Sequence, residues 1–183
     1  MSERTPCDNT KTTLRPMTEA DLAMVRVWRN DPAVRQFMFT QHDINAEEHR
    51  CWFTGIADDQ TKRFLIALVD GTPIGMVSFT HIDATSGSAE WGFYKDPGLP
   101  TGTGIHLLQA ALVYGFTNLA LRQIDSRVLC TNSKVLHLHH KLSFRKDESV
   151  AVLQNDCGDA ISYCVFHLSR EQWTRSANHL TEY

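Results

Sequence analysis

Residues 88–121 constrain this chain more than any other stretch. A run with alternating side chains, SAEWGFYK, passes through the glycine- and proline-rich loop DPGLPTGTG into a long apolar segment, IHLLQAALVYGFTNLAL. The first part has the period of a strand and the last the length of a helix, so the chain folds as mixed α/β with a helix laid on a sheet. A loop of this composition at a helix start presents unpaired backbone N–H groups and the positive end of the helix dipole, which suits a phosphate or pyrophosphate. Gly102 and Gly104, on either side of Thr103, carry no Cβ to obstruct such a ligand. Such a loop is often a plain turn. It lacks the lysine of a P-loop and the three-glycine spacing of a dinucleotide fold.

The remaining elements fall on both sides of this segment. A strand is predicted at 12–15, and Thr18 with Asp21 forms a capping box for a helix carrying Leu22, Val25 and Trp28. That helix runs out at 29–32 and a short helix follows at 34–38. Asn45 with Glu48 opens a third helix bearing His49, Trp52 and Phe53. Strands at 63–69 and 74–82 flank the turn Asp70-Gly71 and read as a hairpin, with a third strand at 88–94. A helix at 104–121, a strand at 123–129, a helix at 133–142 and strands at 144–153 and 161–168 complete the order. With neither repeat nor linker, residues 12–168 form one domain, preceded by a flexible tail (1–11) and followed by a C-terminal extension (169–183).

Charge and cysteine usage narrow the partners. The net charge of −3 offers no basic surplus for a nucleic acid backbone. The apolar run 105–121 is interrupted by His106, Gln109, Thr117 and Asn118, too short and polar to span a membrane. Five scattered cysteines without a CxxC pair, behind a polar N-terminus, predict reduced thiols and a cytoplasmic protein. His137 and His140 have metal-ligand spacing without an acidic or cysteine partner to match, so no metal is expected.

About thirty residues beyond the glycine loop stands Asn132, followed by LHLHHKLSF. Loop and later segment together resemble the GCN5-related N-acetyltransferase superfamily, with three departures: Leu99, His139 and Ser143 replace a glutamine or arginine, a tyrosine and a glycine. The resemblance implies a single-domain fold whose mixed central sheet is splayed at the fourth and fifth strands and flanked by helices. It also implies acetyl-CoA as cosubstrate. The pyrophosphate would lie on the amides of Gly102, Thr103 and Gly104, the pantetheine arm along Trp91, Gly92, Phe93 and Tyr94, and Asn132 would belong to the cofactor side. WRNDPAVRQFM and EEHRCWF are similar to the branch that acetylates the 4-amino group of a UDP-linked 4-amino-4,6-dideoxy sugar in pseudaminic acid biosynthesis, on the way to flagellin glycosylation. The ribosomal-protein alanine N-acetyltransferases share a similar start and form the alternative. A non-catalytic acetyl-CoA-binding module is a third reading, and a homodimer is among the options for assembly.

These resemblances give the candidate residues their roles. On a helical wheel Val135, Leu138, His139 and Leu142 share one face, so His139 is the histidine placed to meet a sulfur and protonate the departing thiolate; its other reading is a hydrogen-bonded core histidine. Alternation puts Glu90, Gly92 and Tyr94 on one face of their strand and Ala89, Trp91 and Phe93 on the core face. Glu90 is then a candidate general base or a structural ion-pair partner, and His49 is a second candidate base. Ser78 and Thr80 share a face of the neighbouring strand and could line the cleft. Arg29, Asn30, Met38, His49 and Trp52 come from the helices over the acceptor side: arginine suits a diphosphate, and a ring or methionine packs on uracil. Without the resemblance, the same residues read as core and helix caps.

Overall fold

Asp70 and Gly71 set the first register of the sheet. Both have positive φ, +49° and +79°, the geometry of a two-residue hairpin turn, and it brings Val69 opposite Thr72. The computed structural model describes residues 12–100, 102–155 and 158–180. The tail 1–11, with Cys7, lies outside the described residues, as does Cys157. Strands β1 (Thr12–Pro16), β2 (Arg63–Val69), β3 (Thr72–Asp83), β4 (Ser88–Lys95), β5 (Gln123–Leu129), β6 (Arg145–Gln154) and β7 (Ala160–Ser169) form one sheet in the order β1-β2-β3-β4-β5-β7-β6. Every neighbouring pair is antiparallel except β4 with β5.

Three helices, α1 (Leu22–Asn30), α2 (Pro32–Arg35) and α3 (Ala46–Ile56), precede β2. The Asp21 carboxylate takes hydrogen bonds from the Thr18 N–H (2.8 Å) and hydroxyl (2.9 Å) and two from Arg15 (both 2.7 Å), fixing the entry to α1. Pro32 ends α1 and starts α2, which the Asp31 carboxylate caps at the Ala33 N–H. The helix expected at 34–38 is therefore shifted: proline favours the first turn, so helix runs from Pro32. Asn45 caps α3 by accepting the Glu48 N–H at 2.9 Å.

Two cores follow from strand alternation. Leu65, Val77, Phe79, Ala89 and Trp91 pack on one side with Leu107, Leu108 and Ala111 of α4 (Gly104–Val113). Ile66, Met76 and Tyr94 pack on the other with Val25, Trp28 and Val34 of the N-terminal helices. The helix expected to run to residue 121 instead widens into a π turn at Tyr114–Asn118. There Gly115 sits so close to the sheet that a Cβ would lie 2.9 Å from Ile124 and 3.0 Å from Phe79. Helix α5 (Ser133–Lys141) crosses between β5 and β6. The expected extension from 169 resolves into the last residue of β7 and helix α6 (Arg170–Leu180). Its Arg170 donates to the carbonyls of Phe116 and Leu121, and Trp173 stacks on Phe116. No described helix is long and apolar enough to cross a membrane.

Candidate active site at a fork in the sheet

The parallel pairing of β4 with β5 lasts three residues, Ser88–Glu90 against Gln123–Asp125, and then the strands part. From Trp91 onward, β4 keeps its antiparallel partner β3 and has no strand partner toward β5 among the described residues. An open strand edge inside a sheet accepts an extended polar ligand as a substitute strand. Beyond the fork the chain turns through Gly102, whose φ of +103° favours glycine, into the first turn of α4. A Cβ built on Gly102 or on Gly104 meets none of the described residues within 4 Å, so these leave this side of the helix start open. Edge and helix start together fit a thioester-bearing arm that ends in a pyrophosphate. Asn132 caps α5 through the Val135 N–H at 3.3 Å.

His139 stands at the base of the fork. It is 0% exposed and touches the first residue beyond the pairing on each strand: Nε2 lies 2.9 Å from the Ser126 hydroxyl and 3.3 Å from the Trp91 indole N–H. Nδ1 donates to the Val135 carbonyl at 2.9 Å. Both ring nitrogens are thus engaged in the neutral tautomer. Burial pushes the pKa down to about 4, against a smaller opposing effect of the Val135 carbonyl. This environment matches the second reading of His139, a hydrogen-bonded core histidine whose Nε2 accepts from its neighbours. Its side chain bridges the diverging strands.

A cleft of about 330 Å³ opens on the opposite face of the sheet. Eight of the residues singled out from sequence line it: Arg29, Met38, His49, Trp52, Ser78, Gly92, Phe93 and Tyr94. His49, 5% exposed, stacks on Trp52 with ring centroids 5.0 Å apart. Burial, reinforced by Arg26 and Arg29, holds its pKa below the usual histidine range against the opposing pull of the Leu22 backbone and Glu48. His49 Nδ1 and Arg29 Nη1 are buried and have no hydrogen-bond partner among the described residues, an unusual state for such groups. Arg29 Nη2 is bound to the Thr40 carbonyl at 2.7 Å. Desolvation raises the Tyr94 phenol well above its ordinary pKa, partly offset by Arg29. Gly92 makes room for this wall, since a Cβ there would lie 2.9 Å from Ser78 Oγ.

Other candidates fall elsewhere. Asn30 is spent on the loop, bonding both the N–H and carbonyl of Ile44. The Thr80 hydroxyl lies 3.4 Å from the Glu90 carbonyl. Glu90 is outside the cleft lining and ion-paired to Arg127 at 2.8 Å, the arrangement of its second reading as a structural ion-pair partner. Trp91 is a core side chain stacked on Phe144. Thr40, Ile44, Glu48, Phe64 and Met76 complete the cleft and were not among the site candidates read from sequence, Glu48 having been read only as a helix-start residue. Met76 shares strand parity with Ser78, and Phe64 lies opposite Ser78 in register, so both were within reach of alternation. No group of three or more metal-ligating side chains occurs among the described residues.

Comparison with known proteins agrees with this geometry. The acetyltransferase (GNAT) domain family matches residues 11–145. The acetyltransferase PseH of Campylobacter jejuni (serotype O:23/36, strain 81-176) is 29% identical over 147 residues, covering 77% of this chain and 91% of that protein. The spermidine N(1)-acetyltransferase of Escherichia coli K12 is 26% identical over 158 residues, 84% of each chain. Among solved structures, spermidine N-acetyltransferase from Vibrio cholerae in complex with CoA and spermine superposes with a TM-score of 0.79 at 22% identity. That alignment covers 89% of this chain and 98% of the other, a likeness of fold.

Proposed function

This chain belongs to the GNAT family of acetyltransferases, and from that premise we propose that it acetylates the 4-amino group of a UDP-linked 4-amino-4,6-dideoxy sugar in pseudaminic acid biosynthesis. As a member of the family it is an enzyme that moves acetyl from acetyl-CoA to an amine. The acceptor is inferred from the charge of the cleft. Its wall holds Arg29 with a buried nitrogen still unpartnered, and the one carboxylate among the described lining residues, Glu48, is 2.7 Å from His42. A polycation such as spermidine would approach a buried guanidinium with little acidic compensation, whereas a diphosphate gains from it. Met38 and Trp52 supply flat apolar contact for a base. The similarity to PseH supports the same reading.

Bound acetyl-CoA would supply an electrophilic thioester carbon at the fork. The residues around it orient the amine and handle its proton. His49, with Nδ1 unpartnered and its pKa depressed, is neutral near pH 7 and can take the proton that leaves the attacking amine. Backbone N–H groups on the open edge of β4 can donate to the carbonyl oxygen as charge develops there. With His139 neutral and enclosed, the thiolate takes its proton from solvent, an inexpensive step for a group of pKa about 8.5. The test pairs calorimetry of UDP binding with thiol release from acetyl-CoA, using the UDP-amino sugar, spermidine and an alanine-initiated peptide as acceptors. UDP should bind, compete with the sugar, and lose about tenfold or more in affinity in Arg29→Met. Efficient acetylation of spermidine or peptide by an enzyme that does not bind UDP would overturn the assignment.

A further inference from the structure

The segment between α2 and α3, residues 36–45, is tied down on two sides. Toward α1, Arg29 holds the Thr40 carbonyl, and Asn30 holds Ile44 through bonds of 2.8 and 3.0 Å. Toward the sheet, Phe39 reaches strands β5 and β7. Its ring meets Tyr163 edge-on with centroids 5.5 Å apart, and the Arg127 guanidinium lies 5.2 Å from its centroid. Arg127 is also 5.9 Å from the Tyr163 ring, and its Nε donates to Glu90 Oε1 at 2.8 Å. His81 stands 3.9 Å from the other Glu90 oxygen. Phe39's neighbours in sequence, Met38 and Thr40, line the acceptor cleft, as does Ile44.

We propose that Phe39, Arg127 and Tyr163 form a clasp that holds this strap against the acceptor, with Glu90 orienting the guanidinium, so that these four are positioning residues setting acceptor affinity. The chemistry is a cation against two aromatic faces, aimed by one carboxylate. Breaking it frees the sheet side of the strap while Arg29 and Asn30 keep the other side. Met38 and Thr40 then lose their fixed positions, and the cleft loses one wall. The identity of the acceptor rests on the reading above; the clasp is a property of the free chain.

Hydrogen exchange of residues 37–44 in the unliganded enzyme tests the clasp without an acceptor. Arg127→Ala and Phe39→Ala should speed exchange there about three- to tenfold, with Phe39→Trp restoring protection because the ring is kept. In steady-state assays Arg127→Ala and Glu90→Gln should raise acceptor KM several-fold, with a smaller effect on kcat and none on acetyl-CoA KM. Unchanged exchange in both alanine variants overturns the clasp. So does a fall in kcat for Glu90→Gln that Arg127→Ala does not share, because that pattern belongs to a base. Faster exchange in an enzyme that fails to bind UDP would leave the clasp standing and refute the acceptor alone.

Discussion

Replacing His139 by phenylalanine separates a structural imidazole from a catalytic one. The ring sits among Trp91, Phe93, Phe144 and Phe166, with centroids 4.6 to 6.0 Å away, so phenylalanine suits the packing. What it removes is the acceptor for the Ser126 hydroxyl and the Trp91 N–H; each buried donor left unpaired costs about 1–3 kcal/mol. The variant should therefore lose about 2–4 kcal/mol at neutral pH, part of the upper cost being offset by the added apolar contact. The pH dependence is the sharper readout. The folded pKa of about 4 is depressed from 6.5, so the stability linked to His139 is complete above pH 6.5 and is lost as pH falls toward 4. Between pH 7.5 and 5 this amounts to about 2 kcal/mol. Urea unfolding of both proteins at the two pH values should show that increment in the wild type and its absence in His139→Phe, other histidines cancelling in the difference. Equal pH sensitivity in the two proteins would refute the buried neutral imidazole. A kcat profile titrating with an acid that vanishes only in the variant would restore His139 as a proton donor.

Three further outcomes follow from particular contacts. Gly104→Val puts its side chain where the protein has nothing within 4 Å, so the melting temperature should change little while calorimetry shows acetyl-CoA affinity falling tenfold or more; an unchanged affinity would place the cofactor elsewhere. Gly92→Ala should raise acceptor KM by crowding Ser78, and the added change Ser78→Ala should recover it; failure of that rescue in the double variant would exclude a steric cause. The bidentate Arg15 pair, followed by smaller effects of Thr18, holds the Asp21 carboxyl at about 2, so its contribution is present above pH 3.8 and lost as pH falls toward 2. Asp21→Asn should destabilise the protein at pH 6 and flatten its acid transition; an unaltered acid limb in denaturant titrations would contradict this.

Much of the scaffold was legible because it depends on local pattern. The strand runs 63–69, ending at the Asp70-Gly71 turn, and 123–129 have their observed bounds, alternation separated Ala89 and Trp91 from Tyr94, and the Asn45 cap is a three-residue device. Helix α6 was not legible, since REQWTRSANHL offers only two large apolar residues, Trp173 and Leu180, set two turns apart. The π turn at Tyr114 was hidden because it keeps apolar residues and changes only backbone pitch. In the site, the inward face of His139 followed from a wheel, whereas its saturation depends on partners 13 and 48 residues away. The Arg127 partner of Glu90 is likewise distant, 37 residues along the chain. Thr40 and Ile44 lie in an aperiodic segment where no spacing marks them.

The three-residue parallel seam also divides the molecule mechanically. On one side β1 to β4 are neighbours in chain order, a meander of short-range pairings; on the other β5, β7 and β6 form a separate antiparallel trio. Within the sheet the two blocks share only the pairs from Ser88–Gln123 to Glu90–Asp125, so relative opening of the blocks concentrates its strain at the fork. A ligand lodged between β4 and β5 would work there as a brace as well as a reactant. At a hundred times its dissociation constant such a ligand would add about 2.7 kcal/mol to the folded state. Occupancy of the fork and closure of the two blocks would then be linked, each favouring the other.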